Sequence, residues 1–97
     1  MYAVVNHLYL NKPLEQLADE MRQDGLPTIS KLPGFRDIHL VKAGDDHAVV
    51  IIFWETEADA QHGAGSFGPT WFAKHIAPFL TREQQRSTGP VIASSRE

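Results

Sequence analysis

The sequence predicts an α+β fold in which six elements follow one another as strand, helix, strand, strand, helix, strand. Two observations support this prediction. Residues 35–42 and 48–54 are extended, apolar runs joined by a Gly-Asp-Asp-His turn, which is typical of an antiparallel hairpin. On each side of the hairpin lies a segment whose apolar residues recur with helical spacing, and an extended segment flanks each of these.

The first strand is predicted over residues 2–10, where apolar residues alternate around Asn6 and His7. An amide inside an otherwise apolar strand needs a hydrogen-bond partner, because an unpaired buried polar group destabilises the fold. Asn6 is therefore a candidate functional residue. The alternative is that Asn6 bonds only to neighbouring backbone.

The first helix is predicted to begin near Asn11 and Pro13, which suit a cap and a first turn. Gly25 and Pro27 interrupt it, because proline removes a backbone hydrogen bond and crowds the preceding turn. The apolar stripe keeps its phase across the break, so we expect a kinked or two-piece helix. That stripe comprises Leu14, Leu17, Ala18, Met21, Ile29 and Leu32.

The second strand of the hairpin is apolar on both faces. Side chains alternate between the faces of a strand, with Val49, Ile51 and Phe53 on one and Ala48, Val50, Ile52 and Trp54 on the other. An antiparallel sheet usually covers one face and leaves the other to water, whereas here both faces need cover. The chain has helix enough for one face. We therefore expect a second copy to cover the open sheet face, giving a homodimer.

The second helix is predicted to start after Thr56, a plausible cap followed by acidic residues. The glycine-rich residues 63–69 suggest a flexible joint. A further helical segment begins near Thr70 and ends at Pro78. Its apolar stripe consists of Phe72, Ile76, Phe79 and Leu80.

The end of the chain is interpreted as a polar connection over residues 81–88 and a short strand over residues 89–94. Pro90 suggests that this strand lies at an edge of the sheet. The complete order is that of the ferredoxin-like arrangement, a four-stranded antiparallel sheet with both helices on one face.

Composition narrows the function. The 97 residues suit one domain over residues 1–97, and a net charge of -3 with scattered basic residues argues against nucleic acid as a partner. The absence of cysteine excludes disulfides and thiolate nucleophiles. No apolar run is long enough to span a membrane and the first residues lack a secretion signal, so we expect no membrane partner and a cytoplasmic location.

Three motifs resemble those of a known family. They are Leu-Pro-Gly-Phe at residues 32–35, Phe-Trp-Glu-Thr-Glu-Ala-Asp-Ala-Gln-His at residues 53–62, and Ile-Ala-Pro-Phe-Leu at residues 76–80. Together, and in element order over nearly the whole chain, they resemble the antibiotic biosynthesis monooxygenase-like proteins, which are dimeric α+β barrels. The resemblance implies two sheets packed back to back, with a pocket between each sheet and its own helices. Members include cofactor-free oxygenases, haem-degrading enzymes, isomerases and decarboxylases, so fold alone leaves the reaction open.

The resemblance implies a small apolar or aromatic ligand in that pocket and, as one reaction, cofactor-independent oxygenation. Such a reaction needs a base or donor for a phenolate and aromatic walls that exclude water. We expect His62, beside the glycine-rich joint, and Asn6 to be catalytic. The expected pocket-lining residues are Tyr9, Trp54, Trp71, Phe72 and His75.

Two alternatives stay open at this stage. In the first, the protein is a non-enzymatic module that binds a ligand or a partner. In the second, it binds or degrades haem, and the resemblance implies that Asn6 and His75 match positions used by the haem-degrading branch. The five histidines show no short paired spacing, so we expect no metal site. Outside the haem alternative we expect no cofactor.

Overall fold

The computed structural model describes residues 1–95 of the chain. Four strands form one antiparallel sheet: β1 (Tyr2–Tyr9), β2 (Phe35–Lys42), β3 (His47–Trp54) and β4 (Gln85–Pro90). Their order across the sheet is β2-β3-β1-β4. With two helical regions between the strands, this arrangement confirms the predicted ferredoxin-like fold.

Two helical regions connect the strands. The first runs from α1 (Leu14–Glu20) through a turn of π-helix (Met21–Gly25) into α2 (Leu26–Ile29). The second comprises α3 (Glu57–Phe67), a π-helical turn (Gly68–Phe72), α4 (Ala73–His75) and a 3-10 turn (Ala77–Phe79). Buried residues of both regions pack in one core with β1 and β3, so both regions cover the same face of the sheet.

The first helical region is the two-piece helix that the sequence predicts. The wide π-helical turn holds an extra residue and precedes Pro27, which falls in the first turn of α2. There the missing N–H of proline removes no helical hydrogen bond. Leu17 and Ile29, one on each side of the break, are both fully buried, so the apolar stripe continues through it.

The hairpin strand β3 shows the expected alternation. Its core-facing residues Ala48, Val50, Ile52 and Trp54 are buried. Its other face, which we call the outer face, carries Val49, Ile51 and Phe53, all half-buried. In the described part of the chain both helical regions pack on the core side, so the outer face has the second apolar surface that the sequence predicts.

Two local predictions were wrong and a third was confirmed. Asn11 does not cap α1, because the N-cap is Pro13 and no side chain bonds there, while the Asn11 backbone N–H donates to the carbonyl of Phe79 at 2.9 Å. Residues 63–69 do not form a flexible joint, because α3 runs through them to Phe67. Thr56 does cap α3, since its Oγ1 accepts a hydrogen bond from the Asp59 backbone N–H at 3.1 Å.

The last strand also lies earlier than predicted. β4 begins at Gln85 and pairs with β1, with Gln85 opposite His7 and Pro90 opposite Tyr2. Its side chains are mostly exposed and polar, so they show no apolar alternation; backbone hydrogen bonds alone define the strand. β4 is an edge strand and Pro90 is its last residue, which agrees with the predicted edge position.

No helix in residues 1–95 is long and apolar enough to cross a membrane. The cytoplasmic location stays a prediction.

Candidate functional site

A cavity of about 170 Å³ lies between the sheet and the two helical regions. Most of its wall is apolar because it is made by the core-facing residues of β1 and β3 and by the buried residues of the helices. The wall residues that matter for a flat ligand are Val4, Val50, Ile52, Trp54, Phe67 and Phe72. Such a wall favours an apolar ring and excludes water from it.

Trp54 is held in this wall by a close approach of α3. Gly63 lies against the indole so closely that a methyl group on its Cα would overlap Trp54 ring atoms. The Trp54 side chain is buried, and its ring also meets Phe35 edge-on, with centroids 5.8 Å apart. Glycine is therefore needed at position 63 to fit helix and ring together, rather than to allow the helix to bend.

One end of the cavity is polar. Asn6 of β1, Gln84 just before β4 and Arg86 of β4 line it. Asn6 and Arg86 are directly opposite each other in the β1–β4 pairing. Gln84 is two residues before Arg86, and side chains two apart along an extended segment share a face.

Two of these groups are buried without a partner. The Asn6 Oδ1 and the Gln84 Oε1 atoms are inaccessible to solvent and have no hydrogen-bond partner in residues 1–95. A buried polar atom left unpaired costs about 1–3 kcal/mol. Both atoms belong to residues that line the same cavity, so a molecule bound in that cavity can pair with them.

The structure brings only some of the predicted site residues together. Asn6, Trp54 and Phe72 line the cavity, whereas Tyr9, His62, Trp71 and His75 are not among the residues that line it. His62 is an exposed residue of α3. Its predicted position as a base at the pocket mouth rested on a flexible joint that is in fact helix.

Tyr9 lies on the outer face instead. Residues of β1 alternate between the faces, so Tyr9 cannot share the core face with Asn6. Its ring stacks on His47 with centroids 4.3 Å apart, and Arg82 lies over it at 3.4 Å from the ring centroid. His47 Nε2 in turn is 3.0 Å from Nδ1 of His7.

Trp71 and His75 belong to a separate buried cluster behind the cavity wall. The two rings stack with centroids 4.6 Å apart. His75 Nδ1 donates to Oε1 of Glu20 at 3.2 Å, and Lys12 Nζ donates to the same oxygen at 2.6 Å. Lys12 also donates to the backbone carbonyl of His75 at 2.9 Å, so one ammonium ties together the first helical region and α4.

The charges in this cluster are matched. Burial is the largest influence on the pKa of Glu20 and raises it, but hydrogen bonds from Lys12, Gln16 and His75 and the Lys12 charge together hold that pKa below its ordinary value. The Lys12 side chain is only 4% exposed. Glu20 is thus the ionised counterion of a buried lysine, and its removal would leave the lysine charge buried without a partner, which destabilises the fold.

The residues Gln84 and Arg86 were missed from the sequence. They fall in the segment that was interpreted as a polar connection, and polar residues give no hydrophobic period. The sequence feature that could have identified them is that they are two residues apart, because residues two apart in an extended segment lie on the same face.

Comparison with solved structures identifies the fold. SnoaB, a cofactor-independent oxygenase from Streptomyces nogalater, superimposes with a TM-score of 0.78 at 14% identity, and the match covers 99% of this chain and 97% of SnoaB. An antibiotic biosynthesis monooxygenase superimposes with a TM-score of 0.73 at 14% identity, covering 96% of this chain and 100% of that protein. The chain has the antibiotic biosynthesis monooxygenase-like fold.

The same fold occurs in a protein of different activity. MhuD, a haem-degrader from Mycobacterium tuberculosis whose structure holds two haems in its active site, superimposes with a TM-score of 0.71 at 17% identity, covering 97% of this chain and 98% of MhuD. No protein-family model matches the sequence, and no curated protein matches it in sequence. Within the antibiotic biosynthesis monooxygenase-like fold, function has to be argued from the site.

The site as it stands favours a ligand smaller than haem. His75, the predicted haem ligand, is not among the residues that line the cavity. The cavity of about 170 Å³ is also below the range of about 300–1,000 Å³ typical of pockets for drug-sized ligands. The residues present suit a much smaller molecule than a macrocycle.

Proposed function

We propose that the protein binds a small hydroxylated aromatic molecule in this cavity and oxygenates it without a cofactor. The observation that supports this proposal is an apolar cavity whose polar end carries two buried amide oxygens without partners. Aromatic and aliphatic walls hold the ring, and hydroxyl groups of the ligand complete the unmet hydrogen bonds. SnoaB, which shares the fold, is a cofactor-independent oxygenase.

The residues at the polar end have distinct roles. The Asn6 Oδ1 accepts a hydrogen bond from a ligand hydroxyl and orients the ring against Trp54 and Phe72. Arg86, opposite Asn6, supplies a permanent positive charge beside the same position. A cation beside a phenol favours its phenolate, which is the electron-rich form that reacts with oxygen.

The reaction balances without an external reductant. A phenol with a free position opposite its hydroxyl gives four electrons to O2. One oxygen atom becomes a ring carbonyl, and the other leaves as water with the hydrogens released from the O–H and the C–H. The product is a quinone. The apolar wall excludes water from the carbanion-like phenolate while it reacts.

Oxygen uptake tests this function. Purified protein is mixed under air with a panel of hydroxylated aromatics, and uptake is compared for the wild type, Asn6→Ala and, as a matched control, Gln61→Ala on the exposed side of α3. We expect uptake that falls at least tenfold in Asn6→Ala and persists in the control. His62→Ala tests the base role that the sequence suggested, since loss of uptake in it would restore that role.

The alternative function is a non-enzymatic binding module. It uses the same cavity and the same two amides, but its ligand would leave unchanged. Binding without oxygen uptake by any phenol in the panel would favour this alternative over the oxygenase.

We further propose that the protein is a homodimer through the outer face. Val5, Val49, Ile51 and Phe53 are apolar, half-buried and adjacent there, because Val5 is opposite Ile51 in the β1–β3 pairing. A contiguous apolar sheet face is typical of an interface. In a dimer with a twofold axis, the outer face of one copy packs against the same face of the other copy.

A further inference from the structure

We infer that the ligand is a single-ring aromatic that carries two hydroxyl groups on one edge, a catechol or a resorcinol, and that Gln84 is the residue that selects the second hydroxyl. This inference rests on the proposed function, since it names the ligand class of the same cavity.

The cavity size favours a ligand with one ring. An engineered protein cavity of about 150 Å³ holds one benzene molecule. The cavity here, at about 170 Å³, therefore has room for one six-membered ring and small substituents. A second fused ring would extend beyond this volume.

The number of unpaired acceptors sets the number of donors. Asn6 Oδ1 and Gln84 Oε1 are both buried and both lack a partner in the described residues. A ligand with one hydroxyl completes one of these bonds and leaves the other acceptor buried and unpaired. A ligand with two hydroxyls completes both, and each completed bond of this kind is worth about tenfold in affinity.

The strand pairing places both acceptors at the same end. Asn6 is opposite Arg86, and Gln84 lies two residues from Arg86 on the same face, so Asn6 and Gln84 are diagonal neighbours across β1 and the start of β4. Diagonal neighbours in an antiparallel pair are close enough for long side chains to reach a common ligand. The two hydroxyls must therefore lie on one edge of the ring, which catechol and resorcinol satisfy and hydroquinone does not.

Gln84 is well placed to be the specificity residue. Asn6 belongs to the central strand β1, whereas Gln84 lies just before the edge strand β4. Gln84→Met keeps the length of the side chain but removes the acceptor. The matched control is Gln85→Met, because Gln85 is exposed and opposite His7, which puts it on the outer face.

Binding is measured by calorimetry under nitrogen, so that oxygenation cannot occur. The ligands are benzene, phenol, hydroquinone, catechol, resorcinol, 1,2-dimethoxybenzene and 1-naphthol. We expect catechol or resorcinol to bind about tenfold more tightly than phenol and hydroquinone, and 1-naphthol not to bind. Gln84→Met should bind catechol, resorcinol and phenol about equally. Gln85→Met and Gln84→Glu should keep the preference for two hydroxyls, because Gln84→Glu keeps an acceptor oxygen.

Other results of the binding experiment would contradict the inference or the proposed function. Equal affinity for phenol and catechol, a preference that survives in Gln84→Met, or tighter binding of 1,2-dimethoxybenzene than of catechol overturns the inference. If no single-ring aromatic binds, the inference and the proposed function both fail. If catechol is preferred under nitrogen but no diol or phenol consumes oxygen in air, the inference stands and the oxygenase proposal fails. Circular dichroism of each variant verifies that it is folded.

Discussion

Gly63 of α3 and Trp54 of β3 are in such close contact that a methyl group on the glycine would overlap the indole ring. The contact joins the core to the cavity, because both residues line it. Gly65, two residues along the same helix, has nothing within 4 Å of the position a methyl group would occupy. The two glycines form a matched pair for testing this contact.

We predict opposite effects on stability for these glycines. Gly63→Ala overpacks the core and lowers the free energy of unfolding by about 1–3 kcal/mol. Gly65→Ala raises it by about 0.5–1 kcal/mol, because alanine in a helix interior loses less conformational entropy than glycine. Urea unfolding monitored by circular dichroism measures both. Equal effects in the two variants would contradict the contact with Trp54.

The second prediction concerns Glu20 at neutral pH. Replacing it with glutamine removes the counterion of the buried Lys12 ammonium, so Glu20→Gln should lower the free energy of unfolding by about 2–3 kcal/mol at pH 7. The control Asp19→Asn removes only an exposed pair with Arg22 and should cost less than about 1 kcal/mol. Urea unfolding of both variants gives the comparison.

The third prediction is the pH dependence of that difference. The pKa of Glu20 is lowered in the folded state, so its ionised form stabilises the fold above its ordinary pKa, and this stabilisation is lost as the pH falls through the lowered value. Wild-type stability should therefore fall below about pH 4.3, the ordinary value for glutamate, and Glu20→Gln should show a flatter profile there. Parallel profiles for the two proteins would show that Glu20 is not ionised and paired in the fold.

The fourth prediction tests the homodimer. Ile51→Asp places a charge in the middle of the apolar outer face and should give a folded monomer, because a buried carboxylate without a partner is strongly unfavourable in an interface. Gln61→Asp, on the exposed side of α3, should leave the association state unchanged. Sedimentation equilibrium measures both. A wild-type protein that is monomeric at micromolar concentration would remove the basis for the dimer.

The fifth prediction concerns Arg86 and the substrate. Arg86→Gln removes the positive charge beside the ligand hydroxyl, so oxygenation at pH 7 should fall by about 10²-fold, the usual cost of losing one electrostatic contact to a developing charge. Activity should recover at a pH high enough to ionise the phenol in solution. A loss that is the same at every pH would assign Arg86 to binding rather than to phenolate formation.

The sequence was sufficient for the fold because the informative residues are apolar and regular. The alternation along β3 and the stripe from Leu14 to Ile29 determine which faces are buried, and both patterns are visible without a structure. Asn6 was identified as a candidate for a related reason, since an amide is out of place in an apolar strand, and it does line the cavity. These predictions depend on hydrophobic burial, which is read directly from residue type.

The residues of the site could be predicted only in part from the sequence. Tyr9 and Asn6 have opposite parity on β1, so they cannot line the same cavity, although both are close in sequence. His62 was assigned to a mobile joint because glycines suggest flexibility, whereas Gly63 is there to admit Trp54. Gln84 gives no burial signal, because its position beside β1 and its unpaired Oε1 are tertiary features.

Two of the three polar residues at the end of the cavity, Gln84 and Arg86, lie just before or within β4, and no residue of β4 is among the hydrophobic core residues of the described chain. If the proposed function holds, substitutions at positions 84 and 86 would change the ligand preference with little loss of core packing. Residues in and just before β4 could then vary with the ligand while the rest of the chain keeps its packing. This separation is a physical reason why proteins with low sequence identity can share the fold.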